Sequence, residues 1–196
     1  MLMPDLSPLW ISLKISFIAT LCTFTLGTIV AYKMYYYQGR SRSLIEAFLI
    51  APLILPPTVV GFILLVLLGK NGVFGQFLAR GNLQLIFTWY AAVLAAIVVS
   101  FPLMYRAALG AFAQIDTLLL DAARIEGASE PDVFWYIALP LAFPGILAGT
   151  VLTFARALGE FGATLMIAGN IPGQTQTMPM AIYFAVEAGA IEEGWF

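Results

Sequence analysis

"DAARIEGASEPDVFWYIALP", residues 121–140, is a charged, helix-forming stretch set between apolar ones. The chain has 196 residues, 61% hydrophobic and only 10% charged, yet five of its eleven carboxylates (Asp116, Asp121, Glu126, Glu130 and Asp132) crowd into this stretch and its approach. The surroundings decide the class. Several apolar runs reach or exceed the roughly 20 residues that cross a bilayer as a helix, so the chain reads as an all-α, polytopic membrane protein. A water-soluble domain of this length would carry a far more charged surface.

Composition closes several functions. A net charge of −2 offers no electrostatic footprint for nucleic acid or for a polybasic membrane anchor. Cys22 is the single cysteine and there is no histidine. Neither a disulfide nor a cysteine-based metal site can form within one chain, and the commonest general base is missing. An intramembrane hydrolase would need paired catalytic groups. Only Lys14 beside Ser12 and Ser16 comes near, and Lys14 is more simply an interfacial anchor. A secondary transporter would need an intramembrane ion relay or an internal repeat, neither of which is visible. Nothing calls for a cofactor.

Apolar windows place spans at 10–33, 48–68, 84–105 and from Pro140 to about Leu158. The first is too long, and too poor in leading positive charge, for a cleaved signal peptide. "FGATLMIAGNI" (161–171) is too short to cross alone, and "MPMAIYFAVEAGA" (178–190) is expected to lie at an interface or partly re-enter. Lys33, Arg40 and Arg42 follow span one, and Arg106 and Arg124 follow span three, against Lys14, Lys70 and Arg80 on the opposite side. Positive residues are retained in the cytoplasm, so the N-terminus is expected outside and the 106–140 loop inside. Four spans that start outside also finish outside. "EEGWF" (192–196), with its interfacial Trp195, is expected to introduce a further span, so that the natural protein continues.

Within the charged stretch, helix formers over 117–126 end at Gly127, which suits the turn. Ser129 and Asp132 form a capping-box pattern for a second helix with Pro131 in its first turn, and Pro140 is expected to mark a bend into span four. The product is a helix–turn–helix. Ala122, Ala123 and Gly127 side by side would let another backbone approach closely. Two readings stand: a solvated connector, or an arm that lies in a partner's groove.

The spacing of Asp121-Ala122-Ala123, Gly127 and then Ile137-x-Leu139-Pro140 resembles the EAA signature of ABC importer permeases, with Asp standing for the leading Glu. "LILPPTVVGFILLVLLGKNGVFG" (53–75) and "FARALGEFGATLMIAGNIPGQTQTMPMAIY" (154–183) resemble the molybdate branch of these permeases, with the sulfate branch nearest to it. The resemblance runs along nearly the whole chain. It implies a type I ABC importer transmembrane-domain fold, one permease domain over 1–196 with its last span missing, and a multi-pass place in the bacterial inner membrane. It further implies that the charged stretch is a coupling helix docking on separate cytoplasmic ATPase subunits. An oxyanion-binding protein would dock outside, a second permease copy would complete the pore, and lipid would surround the pair. The implied cargo is molybdate, with tungstate or sulfate as alternatives. The chain has no G-x-x-x-x-G-K-[ST] loop, and "LLGKNG" (67–72) lacks both the earlier Gly and the following Ser or Thr, so it reads as a pore subunit and not an enzyme.

Pore candidates come from residues a span does not ordinarily tolerate. Pro56 and Pro57 delete backbone donors and should kink or break span two, either as part of a gate or as a packing bend. Arg156 and Glu160 are one turn apart and ionisable groups inside a span are costly, which makes the pair a functional candidate. With Gly159 and Gly162 loosening the helix, they are read as shaping the pore and its outer gate; simple mutual neutralisation is the alternative. The 69–82 and 170–179 loops are the candidates to meet a binding protein, though their glycines also suit plain turns.

Overall fold

The computed structural model describes residues 5–81 and 85–190, without the side chains of residues 78–80. The 192–196 stretch with Trp195, read above as the approach to a further span, lies outside the described residues. The secondary structure within them is helical, with no strand.

Helix α1 (Ser7–Tyr36) begins where the Asp5 carboxylate accepts from the Ser7 amide at 2.9 Å and Pro8 occupies the first turn. Span two is not one helix. Helix α2 (Arg42–Ile54) stops at Leu55–Pro56, and α3 (Pro57–Leu68) restarts with Pro57 at its first position, because two adjacent prolines remove two consecutive donors. The apolar stretch long enough to cross here is Pro57–Phe77, which runs into α4 (Val73–Arg80), and not 48–68. Helix α5 (Trp89–Ala113) is capped by Thr88, whose side chain accepts from the Ala91 amide. It continues well past residue 105, so the hydrophilic connection starts at residue 114 and not at 106.

After α6 (Thr117–Ile125) and a turn, α7 (Glu130–Asp132), a π-helical stretch (Val133–Ala138) and α8 (Leu139–Leu158) form one continuous helix. Pro140 therefore lies within a continuous helix and does not end one. The π turn just before it widens the helix, with the Leu139 amide reaching back five residues to the Phe134 carbonyl, and the proline ring is accommodated without a break. Two short helices follow, α9 (Gly162–Ala168) and α10 (Met178–Glu187).

Helix α5 is the centre of the bundle, packed between α1 and α8. Lys14 meets Trp89 at one end and Tyr32 meets Phe112 at the other, so α1 and α5 run in the same direction. Gly145 lies on Ala111 and Gly149 on Ala107, so α8 runs against them. Hydrocarbon supplies no hydrophobic force between helices, and close contact of small residues is what gives dispersion energy its reach. The buried alanines of α5 (Ala91, Ala92, Ala95, Ala96, Ala108 and Ala111) serve that approach. Gly61 of α3 does the same against α9: a Cβ there would lie 2.7 Å from the Ala163 Cα and 2.9 Å from its carbonyl oxygen. Gly61→Ala should destabilise the protein by about 1–3 kcal/mol through overpacking. Gly110→Ala on α5, where an added Cβ meets nothing within 4 Å, should stabilise by about 0.5–1 kcal/mol through helix propensity. Thermal unfolding of the two variants in detergent checks the pair.

Candidate functional site

The charged stretch folds as a hairpin with every turn of its backbone accounted for. Asp116 caps α6, accepting from the Leu118 amide at 3.0 Å. At the other end Gly127 stands at φ +94°, its amide donates to the Arg124 carbonyl, and the Ala128 amide donates to the Ala123 carbonyl, both at 3.0 Å. This pair of bonds is the Schellman closure that a left-handed glycine permits. The Ser129–Asp132 capping box then starts the return limb as the sequence predicts.

Arg124 holds the two limbs together. Its Nη1 donates to Asp121 at 2.8 Å, while Nε and Nη2 donate to the two oxygens of Glu130 at 2.7 and 3.2 Å. Its guanidinium also lies over the ring of Tyr36, at the end of α1, 5.2 Å from the centroid. The bonds from Arg124 hold the Glu130 carboxyl below its usual range, and Glu130 is the largest cause raising Arg124 above its own. Sequence reasoning used Arg124 only to orient the chain. The available signal was an acid three residues before it and another just past the glycine turn.

An aromatic cluster pins the hairpin to the bundle. The Tyr32 ring of α1 lies 4.6 Å from Phe134 and 5.2 Å from Phe112, and Leu120, Val133 and Ala138 are buried around it. The motif residues consequently divide into two sets. Ala122 faces out, midway along a stripe of Leu118, Ala122 and Ile125 at helical spacing, and Ile125 is 86% exposed. Asp121 is exposed but its carboxylate is engaged by Arg124. Ala123 and Gly127 build the turn, Ile137 and Leu139 pack into the inner core, and Pro140 lies exposed on α8. An exposed apolar stripe on a small, pre-capped helix has the chemistry to lie in a partner's groove.

The pore candidates also converge. Gly162 packs on Thr58 and Pro57: a Cβ on it would meet the Thr58 amide nitrogen at 3.1 Å and the Pro57 Cβ at 3.3 Å. The break in span two therefore abuts the break between α8 and α9. Glu160 is not inside a span as the sequence implied; it follows the end of α8, in that second break. Gly149 lies against Ala107, and the nine residues from there to Leu158 rise about 14 Å, which ends α8 about halfway along α5 instead of at its Trp89 end. Glu160 is 3% exposed, takes an ion pair from Arg156 at 2.6 Å, and accepts from the Ala163 amide at 2.8 Å, capping α9. The sequence signal missed was an acid two residues ahead of a short helix. Pro56 is exposed beside this junction, and Gly159 closes α8.

At the end of the bundle away from the hairpin, Lys14 lies 3.8 Å over the Trp89 ring, and the Ser12 hydroxyl accepts from the Met178 amide at 2.7 Å, tying α10 to α1. The Ser–Lys proximity thus has two structural explanations. Thr175, fully buried, accepts from the Ile171 amide and donates to the Gly169 carbonyl, fixing the 170–179 loop.

A bundle of membrane-length helices, two of them interrupted side by side, with a charged hairpin projecting from one end, is the build of a transport permease. Residues 23–190 match the binding-protein-dependent transport system inner membrane components, and the chain belongs to that family, with its type I ABC importer transmembrane fold. It is 47% identical to the YvgM protein of Bacillus subtilis (strain 168) over 190 residues, 96% of this chain and 84% of that one. It is 43% identical over 192 residues to the molybdenum transport system permease protein ModB of Escherichia coli (strain K12), covering 97% and 84% of the two chains. The ModB protein of Haemophilus influenzae is 42% identical over 190 residues, 96% of this chain and 83% of that one. The chain is a multi-pass inner-membrane permease subunit.

Two expectations follow from the geometry. Glu130 has a lowered folded pKa, so its bond to Arg124 contributes fully above the ordinary Glu range near about pH 4.3 and is lost only as pH falls through the lower folded value. An NMR titration should place the Glu130 midpoint below that range, and Arg124→Ala should return it there. Arg156→Ala leaves a buried carboxylate unpaired and should destabilise by about 3 kcal/mol. Glu160→Gln keeps an oxygen for the Ala163 amide and should cost less, as thermal unfolding of both would show.

Proposed function

We propose that this chain is the membrane-spanning subunit of an ATP-driven importer that carries molybdate across the inner membrane. The observation that carries the cargo is similarity over nearly the full chain to permeases named for molybdenum transport. Sulfate or tungstate is the alternative within the same machine. Residues 1–196 act as one permease domain, N-terminus outside, and the hairpin faces the cytoplasm, in keeping with the distribution of Lys and Arg.

In this reading the Leu118–Ala122–Ile125 stripe enters a cleft on an ATPase subunit, which hydrolyses the ATP. Asp121, Ala123, Gly127, Ile137, Leu139 and Pro140 support the docked geometry, as their places in the hairpin favour. A second copy of the chain completes the pore, and lipid covers the remaining apolar faces, of which α2 and α3 expose much. An extracytoplasmic binding protein delivers the oxyanion to the outer loops, 69–82 and 170–179. The abutting breaks, with Pro56, Pro57, Gly159, Glu160 and Gly162, form the gate region, and Arg156 cancels the Glu160 charge that would otherwise repel an anion. Interrupted helices buried against each other near the membrane centre are the usual place for such a path.

The test is ATP hydrolysis and uptake by the permease reconstituted in proteoliposomes with ATPase and binding protein. Molybdate-loaded binding protein should stimulate both, and Ile125→Asp on the stripe should abolish the stimulation. Stimulation by sulfate alone would change the cargo. Failure of the ATPase to associate would overturn the proposal.

A further inference from the structure

The hairpin has a feature that docking does not require: one side chain bonds to three separate pieces of the chain. Arg124 lies on α6, its bidentate partner Glu130 opens the continuous 29-residue helix that ends at Leu158, and the ring beneath its guanidinium belongs to α1. Its side chain is 27% exposed, so it sits between these elements and not on the outer stripe. Around it, Tyr32 contacts Phe134, Phe112 and Tyr36, which again joins α1 to the return limb. By contrast α6 itself is seated on the core mainly through Leu120 and Ala123. A cleft of about 300 Å³ opens between it and α8, lined by Gln114, Asp116, Leu119, Leu141 and Pro144 among others.

From this geometry we infer that Arg124 is a positioning residue for coupling: it makes α6, the helix leading to the Glu160 break, and α1 move as one body. The inference rests on the proposed importer reading. A push on the docked α6 would otherwise be absorbed by the open cleft and by the four-residue turn. With Arg124 in place the push reaches Glu130 through two parallel bonds whose planar fork resists rotation. It then travels along a helix stiff enough to act as a lever, and reaches α1 through Tyr36. Lysine would keep the charge and lose the fork. A physical account of coupling between remote sites rests on an element whose position both sites bias.

The experiment measures molybdate taken up per ATP hydrolysed, per assembled complex, for Arg124→Ala, Arg124→Lys, Tyr36→Leu and the exchange Arg124→Glu with Glu130→Arg. Arg124→Ala and Arg124→Lys should still assemble with the ATPase and hydrolyse ATP, but move about one-fifth or less of the wild-type cargo per ATP, the low end of a typical coupling effect. Tyr36→Leu, which leaves the ion pairs intact, should also lower the ratio. The exchange should restore part of it. A residue that only holds the fold together would reduce assembly and leave the ratio unchanged, and that result would overturn the inference. If the wild-type complex itself shows no ATPase association, the importer reading fails and the inference falls with it; a working wild type with unaltered ratios sinks the inference alone.

Discussion

Inside hydrocarbon no water is present to satisfy a backbone N–H or C=O, and every interruption of a helix must be answered by the chain itself. That requirement accounts for the arrangement at the centre of this bundle. The Pro56–Pro57 break places two residues without N–H groups where a helix would otherwise expose donors. The second break is closed by Glu160, which accepts from the Ala163 amide. Because each break is irregular backbone, each is best placed against the other, and Gly162 allows the two to touch at Thr58. The short helices α3 and α9 then run side by side from the junction, with Gly61 against Ala163. A carboxylate buried to provide a cap brings an uncompensated charge, so Arg156 is drawn to it one turn back. The cap, the ion pair and the glycines are consequences of one broken backbone.

The hairpin faces the opposite problem. Outside the hydrocarbon its backbone could be solvated, yet it is capped at every end, by Asp116, by the Gly127 closure and by the Ser129–Asp132 box. A helix of nine residues is marginal on its own. Caps, the Arg124 network and the Tyr32 cluster supply what its length does not. The outer stripe is left free of any internal duty, so a docked groove would find it already ordered.

What was legible in the sequence divides along the same line between local and long-range causes. The Gly127 turn and the capping box are read from neighbouring residues and stand as expected, because their partners are within five positions. Prolines are harder. Pro52, Pro102 and Pro144 lie inside helices, and Pro140 passes through one, whereas Pro56 and Pro57 end one. The difference at Pro140 is a π turn, and at Pro56 a second proline beside it and a partner break to receive it. Neither hydropathy nor spacing contains that information. The stack of Arg124 on Tyr36 joins residues far apart in the chain and was invisible for the same reason. Glu160 shows a different failure: its one-turn spacing from Arg156 was read as a place within span four, although Gly159 before it and the short α9 after it marked a cap.

Charge bears on how selective such a path could be. Among the described residues Glu160 is the buried carboxyl-bearing side chain, and it is paired with Arg156. The cations assigned to the cytoplasmic side (Lys33, Arg40, Arg42, Arg106 and Arg124) lie beyond the junction, and two of them are occupied by carboxylates of their own. A tetrahedral dianion entering between the breaks would meet little net positive charge and few free donors. Strong binding there would in any case oppose release, since conduction requires a site weak enough to leave. On the proposed importer reading, a path built this way would gain more by leaving recognition to a separate binding protein. Discrimination among oxyanions of the same shape and charge then has no reason to be written in the residues of the pore.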